Sequence, residues 1–155
     1  MTSIAFLGLG NMGMPMAGNL VNAGYTVRGF DPVPAAREAA AGKGVEVADS
    51  GAEAVTGADV VITMLPNGTL VKEAYGEVMP SAAPHALFID SSTIAVDDAR
   101  AVHAYAAERG FAQLDAPVSG GVKGAVAGPL AFMVGGEAEP LDTARPVLDA
   151  MAGKI

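Results

Sequence analysis

The sequence predicts an α/β fold, a doubly wound and mostly parallel sheet with helices on both faces. Three observations predict it. Strand-like apolar runs and helix-like segments take turns along the chain. No internal repeat or low-complexity linker interrupts the alternation. The 155 residues, 51% of them hydrophobic and 17% charged, make one domain's worth of chain, able to bury its own core and far from a disordered composition.

Ser3 to Leu7 is a short apolar run stopped by Gly8, a first strand. Met12 to Ala23 carries Met12, Met16, Leu20 and Ala23 at helical spacing and ends at Gly24. Thr26 to Phe30 reads as the second strand and Pro34 to Ala41 as a short helix closed by Gly42. Val45 to Val47 is a minimal third strand. Ser50 with Glu53 three residues on forms a capping box for a short helix ending near Gly57. Val60 to Leu65 is continuously apolar and rich in β-branched residues, the pattern of a strand buried on both faces. Pro66-Asn67-Gly68 forces a loop, Thr69 to Val78 reads as a helix, and Leu87 to Ile89 as a strand ending at Asp90. Val96 to Arg109 is helical and stops at Gly110. Phe111 to Leu114 and Leu130 to Val134 read as strands, and Pro140 to Met151 as a final helix closed by Gly153. Lys154-Ile155 reads as the opening of an element cut short.

Seventeen acidic residues against nine basic ones leave a net charge of −8, and no basic block occurs, so nucleic acid is excluded as a partner. Cysteine is absent, which removes disulfides, thiolate metal sites and cysteine nucleophiles, and fits a reducing, cytoplasmic setting. With two histidines, His85 and His103, no metal site is expected. Met1 to Val27 is uncharged and rather apolar, but five glycines, three asparagines and Pro15 interrupt it, so it reads as buried soluble structure and not as a membrane segment. His85, in a loop after Pro84, and His103, on an amphipathic helix, read as surface or boundary residues. Met12, Met14 and Met16 read as packing.

The chemistry-bearing residues gather where strands end. Gly8-Leu9-Gly10-Asn11-Met12-Gly13 fits the dinucleotide fingerprint: the first glycine permits a tight turn, the second lets a pyrophosphate approach the backbone, and the third lets helix and strand pack closely. A strand before it, a helix after it, and Asp31 18 residues beyond Gly13 complete the pattern of a Rossmann-type βαβ unit. Asp31 can accept hydrogen bonds from the adenosine ribose and repels a 2′-phosphate, so NAD is expected over NADP. A chain of net charge −8 offers no long-range attraction for an anionic cofactor, so backbone N–H groups of Leu9 to Met12 and a helix dipole are expected to bind it. A second loop, Ala116 to Gly124, follows a strand end and holds Ser119-Gly120-Gly121. Such a row of donors suits a carboxylate or phosphate, while a plain glycine-rich turn reads equally well from the residues alone.

The segments FLGLGNMGMPMAGNL, ITMLPNG, FIDSSTI and LDAPVSGGVKGAVAGPLAFMVGG, in this order, resemble the 3-hydroxyisobutyrate dehydrogenases of the β-hydroxyacid dehydrogenase family, over the whole chain. The resemblance implies NAD-dependent oxidation of a small 3-hydroxy acid, 3-hydroxyisobutyrate to methylmalonate semialdehyde in valine breakdown. It implies that Gly8, Leu9, Gly10, Asn11, Met12 and Gly13 form the pyrophosphate loop and that Asp31 accepts the ribose. Leu65 and Pro66 would lie along the cofactor, Thr93 near the nicotinamide, and Ser119, Gly120 and Gly121 around the substrate carboxylate. Asp31 followed by Pro32 sets the chain apart from the NADP-preferring branches, 6-phosphogluconate dehydrogenases and glyoxylate reductases, which carry a basic residue just after this strand.

One departure matters. Family members continue into a helical domain that holds a catalytic lysine in a Lys-x-x-Asn-Asn segment, which this sequence lacks. Lys123 matches no catalytic residue of the family, so residues 1–155 read as a dinucleotide-binding domain without a catalytic residue of its own. A homo-oligomer is implied for the full-length protein, formed through the helical domain. Two other readings stay open: a stand-alone NAD sensor or docking module, and a related β-hydroxyacid dehydrogenase or semialdehyde reductase.

Overall fold

The computed structural model describes residues 3–10, 13–92, 96–115 and 146–147. The alternation appears as β1 (Ser3–Leu7), α1 (Gly13–Asn22), β2 (Thr26–Phe30), α2 (Pro34–Ala41), β3 (Glu46–Val47) and α3 (Gly51–Val55). It continues as β4 (Val60–Thr63), α4 (Gly68–Val78), β5 (Leu87–Asp90), α5 (Val96–Glu108) and β6 (Ala112–Asp115). The strand expected at Leu130 to Val134 and the helix expected at Pro140 to Met151 lie outside the described residues, apart from Pro146 and Val147, which are helical.

The six strands form one sheet in the order β3-β2-β1-β4-β5-β6, and every ladder between them is parallel. Its two faces follow from the period-2 alternation of the strands. Ile4, Phe6, Val60, Ile62, Leu87 and Ile89 face one side, where Met16, Ala17 and Leu20 of α1 and Ala40 of α2 cover them. Ala5, Leu7, Val61 and Phe88 face the other, beneath α3, α4 and α5. There Phe88 takes Tyr75 and Phe111 edge-on, with ring centroids 5.1 and 5.0 Å away. Burial on both faces explains why β4 and β5 are apolar up to their last residues, Thr63 and Asp90. The stretch that ends at Val27 is accordingly core strand and core helix, and among the described residues no helix is long and apolar enough to cross a membrane.

Caps account for several helix starts. Pro34 opens α2 at the position where its missing N–H costs nothing. Ser50 Oγ accepts from Glu53 N at 3.0 Å, as expected, while Glu53 Oε1 reaches back to Asp49 N rather than to the cap's own amide. Asn67 caps α4 by accepting from Leu70 N at 3.0 Å, which starts the helix at Gly68, one residue earlier than expected. A 3-10 turn over Met79–Ser81, not foreseen, extends α4 past Val78. Gly42 follows α2 in a right-handed conformation, and the left-handed residue that reverses the chain is Gly44, at φ +94°.

The strand order reverses between β1 and β4. From β1 the chain builds outward through β2 and β3, then returns to the other side of β1 to start β4. The helices on the two sides diverge there, leaving a crevice outside the carboxyl ends of β1 and β4, where open α/β sheets bind ligands.

Candidate functional site

The crevice is lined by Gly8, Gly10, Gly13, Asp31, Met64, Leu65 and Pro66 and encloses about 260 Å³. Six of these seven residues are ones the sequence singles out; Met64 is the addition. It leads from Thr63, the last residue of β4, into Leu65, so a residue beside an expected site position was the available signal.

The three glycines divide their work as the fingerprint requires. Gly8 has φ +103°, in the left-handed region, and a side chain there would strike the backbone carbonyl of Met64. At Gly13 a Cβ would collide with the carbonyl of Gly8, so the absence of a side chain lets α1 sit directly on the turn. At Gly10 a Cβ would meet nothing within 4 Å. Two glycines thus serve the protein's own packing, whereas Gly10 leaves room on the crevice side of the loop, as a pyrophosphate needs.

Asp31 follows β2 and is 91% buried. Its Oδ2 accepts from Leu9 N and its Oδ1 from Val33 N, both at 2.8 Å. The first bond ties β2 to the glycine loop; the second closes an Asx turn that leads into α2. An ionised carboxylate offers about four acceptor positions, so these two amides leave capacity for ribose hydroxyls. Arg37 Nη1 donates to the Asp31 backbone carbonyl at 2.6 Å, and its Cζ lies 5.7 Å from the centre of the Phe30 ring.

Leu9 takes a different part from the one expected of its amide. Its N–H is directed to Asp31, and its side chain is buried in the core, close to the open backbone of Gly29. Leu9 therefore anchors the loop and its amide is committed to Asp31, while in the first turn of α1 Pro15 has no N–H to offer. Met14 N, which donates to Gly10 O at 2.9 Å, fixes where that turn begins.

The opposite wall is braced by a network that no spacing rule reveals. Ser92 Oγ accepts from Leu65 N at 2.7 Å. Ser92 N in turn donates to Asp90 Oδ1 at 3.0 Å, and Thr63 Oγ1 donates to the same oxygen at 2.9 Å. Thr63, Asp90 and Ser92 are all buried. This network also corrects the expected end of β4: the strand stops at Thr63 because Leu65 turns its amide to a side chain of the neighbouring strand end.

Asn11, Met12, Thr93, Ser119, Gly120, Gly121 and Lys123 lie outside the described residues. His85 is exposed, with Nε2 2.7 Å from Asp59 Oδ1, and His103 Nδ1 lies 2.7 Å from Gln113 Oε1. Both are remote from the residues that line the crevice. Among the described residues no group of three potential ligands could hold a metal ion.

A doubly wound sheet whose ladders among the described residues are all parallel, with this glycine turn and a buried carboxylate at its switch point, defines a dinucleotide-binding domain. The family described as the NAD binding domain of 6-phosphogluconate dehydrogenase matches residues 3–155, and the chain belongs to it. Over all 155 residues the chain is 64% identical to a probable 3-hydroxyisobutyrate dehydrogenase of Mycobacterium tuberculosis. It is 51% identical to an NAD-dependent L-serine dehydrogenase of Pseudomonas aeruginosa over 158 aligned residues. A solved structure of the Mycobacterium tuberculosis 3-hydroxyisobutyrate dehydrogenase with L-serine superposes with a TM-score of 0.89 at 63% identity, covering 100% of this chain and 53% of that one. The chain spans about half the length of these relatives, 53% in each case. It is an NAD-binding domain, similar in sequence to the amino-terminal half of 3-hydroxyisobutyrate dehydrogenases.

Proposed function

We propose that the chain is the cofactor-binding half of an NAD-dependent dehydrogenase that oxidises a small 3-hydroxy acid, 3-hydroxyisobutyrate to methylmalonate semialdehyde in valine breakdown. The observation that carries this reading is the buried carboxylate of Asp31 tied to the turn at Gly8–Gly10. Gly8, Leu9, Gly10, Asn11, Met12 and Gly13 form the pyrophosphate loop, in which Gly10 gives the open approach and Leu9 the anchor. Asp31 takes the adenosine ribose and selects NAD over NADP. Leu65 and Pro66 lie along the cofactor, and Thr93 near its nicotinamide end. Ser119, Gly120 and Gly121 receive the substrate carboxylate.

Bound NAD would supply the hydride acceptor. The hydroxyl proton of the substrate needs a base, for which the resemblance implies a lysine outside these residues. Residues 1–155 are therefore one domain that binds cofactor and substrate carboxylate without turning substrate over. The full-length protein is a cytoplasmic homo-oligomer. A second substrate, L-serine, is favoured by the serine dehydrogenase relative and by the L-serine in the solved structure, and L-serine is itself a 3-hydroxy acid.

The test mixes the 155-residue chain with NAD and either acid and follows NADH formation beside a no-enzyme control, while saturation-transfer NMR reports acid binding to the NADH-loaded chain. Binding without turnover is expected. Turnover above background would place a base within these residues, Lys123 first, and failure of both acids to bind would remove the Ser119 loop from the site.

A further inference from the structure

Arg37 is the residue that the NAD reading leaves unused, and it stands beside the group on which that reading depends. It belongs to α2, and its guanidinium reaches back 2.6 Å to the backbone carbonyl of Asp31, whose carboxylate is assigned to the ribose. The cation also lies 5.7 Å from the Phe30 ring centre, which holds it beside the end of β2. A guanidinium carries five N–H donors in a rigid fork, and the Asp31 carbonyl takes one direction of that fork. Pro32 and Val33, between the two residues, are exposed, Val33 at 53%, and Arg37 is itself only half-buried, so solvent reaches the turn that carries the buried carboxylate.

A ribose held by Asp31 presents its 2′ position at the carboxylate, on the residue that Arg37 already touches. The two side chains then exert opposite preferences there. The carboxylate accepts from a 2′-hydroxyl and repels a 2′-phosphate; a guanidinium pairs with a phosphate by two charge-assisted hydrogen bonds. From these contacts we infer that Arg37 is a cofactor-specificity residue, a ligand for a phosphate on the adenosine 2′ position that Asp31 overrides in the native chain. NAD preference is thus a balance of two opposed charges, and the domain keeps a residual affinity for NADP that depends on Arg37. This inference rests on the ribose assignment of Asp31.

The experiment is calorimetric titration of the native chain, Asp31→Asn, Arg37→Gln and the double variant with NAD and NADP. Asp31→Asn should weaken NAD and strengthen NADP, and Arg37→Gln in that background should remove about tenfold of the NADP affinity, the scale of a lost charge-assisted pair. If Asp31→Asn changes neither cofactor, the ribose assignment fails and this inference with it. If Asp31→Asn shifts the preference but Arg37→Gln takes none of the gain away, the ribose assignment stands and the role of Arg37 is refuted. A purely structural Arg37 would weaken both cofactors equally. Should Asp31→Asn not fold by circular dichroism, the native chain and Arg37→Gln are compared with 5′-AMP and adenosine 2′,5′-bisphosphate. A bisphosphate loss about tenfold greater than the AMP loss supports the inference, and equal losses overturn it.

Discussion

The two ends of the sheet use the same bond for different purposes. At the amino end, Asp59 Oδ2 accepts from Ser3 N at 2.8 Å; at the carboxyl end, Asp31 Oδ2 accepts from Leu9 N at the same distance. Asp59 is only partly buried and pairs with an exposed histidine, so it serves as a surface clasp on the start of β1. Asp31 is buried, and so are Thr63, Asp90, Ser91 and Ser92 around the ends of β4 and β5. Burying carboxylates is costly unless their partners are well placed, and hydrophobic replacements often stabilise a fold as well or better. Polar groups buried at one end of the sheet, and clasps left in solvent at the other, mark the carboxyl end as the end built for a ligand.

The largest expected effect at the carboxyl end comes from Gly13→Ala. Its Cβ would run into the Gly8 carbonyl, so α1 must shift off the turn, at about 2 kcal/mol or more by the scale of overpacked sites. A urea melt should show the loss, and NADH binding should vanish with it. Gly10→Ala separates ligand from fold: a Cβ there meets no protein atom, so stability should stay within about 1 kcal/mol, the scale of an exposed glycine replacement, while NADH affinity falls steeply. Equal losses of stability and binding at Gly10 would remove the pyrophosphate from this face of the loop.

Ser92→Ala comes next. It strips Leu65 N of its acceptor, and an orphaned, partly buried amide costs about 1 to 3 kcal/mol. Chemical denaturation should show that loss, and hydrogen exchange should speed at Leu65 while the amide of Leu9 stays protected.

The smallest effect belongs to the amino end. The backbone amide of Ser3, and next His85, hold the Asp59 carboxyl below its ordinary value. A depressed carboxylate contributes stability that is fully present above the ordinary value and is lost as pH falls through the lowered one. Asp59→Asn should therefore flatten the acid limb of the stability curve below about pH 4, the ordinary carboxylate range. Solvent screening keeps the change small, and NADH affinity at neutral pH should not move.

Much of this was legible in the sequence, because it is local. The fingerprint, the strand before it and Asp31 lie within one βαβ unit, and their spacing follows from the length of α1 and β2. The apolar runs marked the buried strands for the same reason. The bracing of Leu65 by Ser92 was not legible, since it joins residues 27 apart that meet only once β4 and β5 pair. The end of β4 was misjudged with it: Met64 and Leu65 are as apolar as the strand, and only the tertiary partner of the Leu65 amide ends the ladder. Arg37 carries no signal of its own in the sequence, since its contact with Asp31 depends on the Asx turn that leads from β2 into α2. In α4 the signal was present in Asn67, whose capping role moves the helix start to Gly68.

The most direct single measurement is an NADH fluorescence titration of the native chain beside Asp31→Ala. If the switch-point crevice holds the cofactor through this carboxylate, the native chain enhances NADH fluorescence saturably, and Asp31→Ala weakens binding by about tenfold or more, the scale of a hydrogen bond to a charged group. Equal affinity in a folded Asp31→Ala chain would contradict the placement of the ribose at the end of β2.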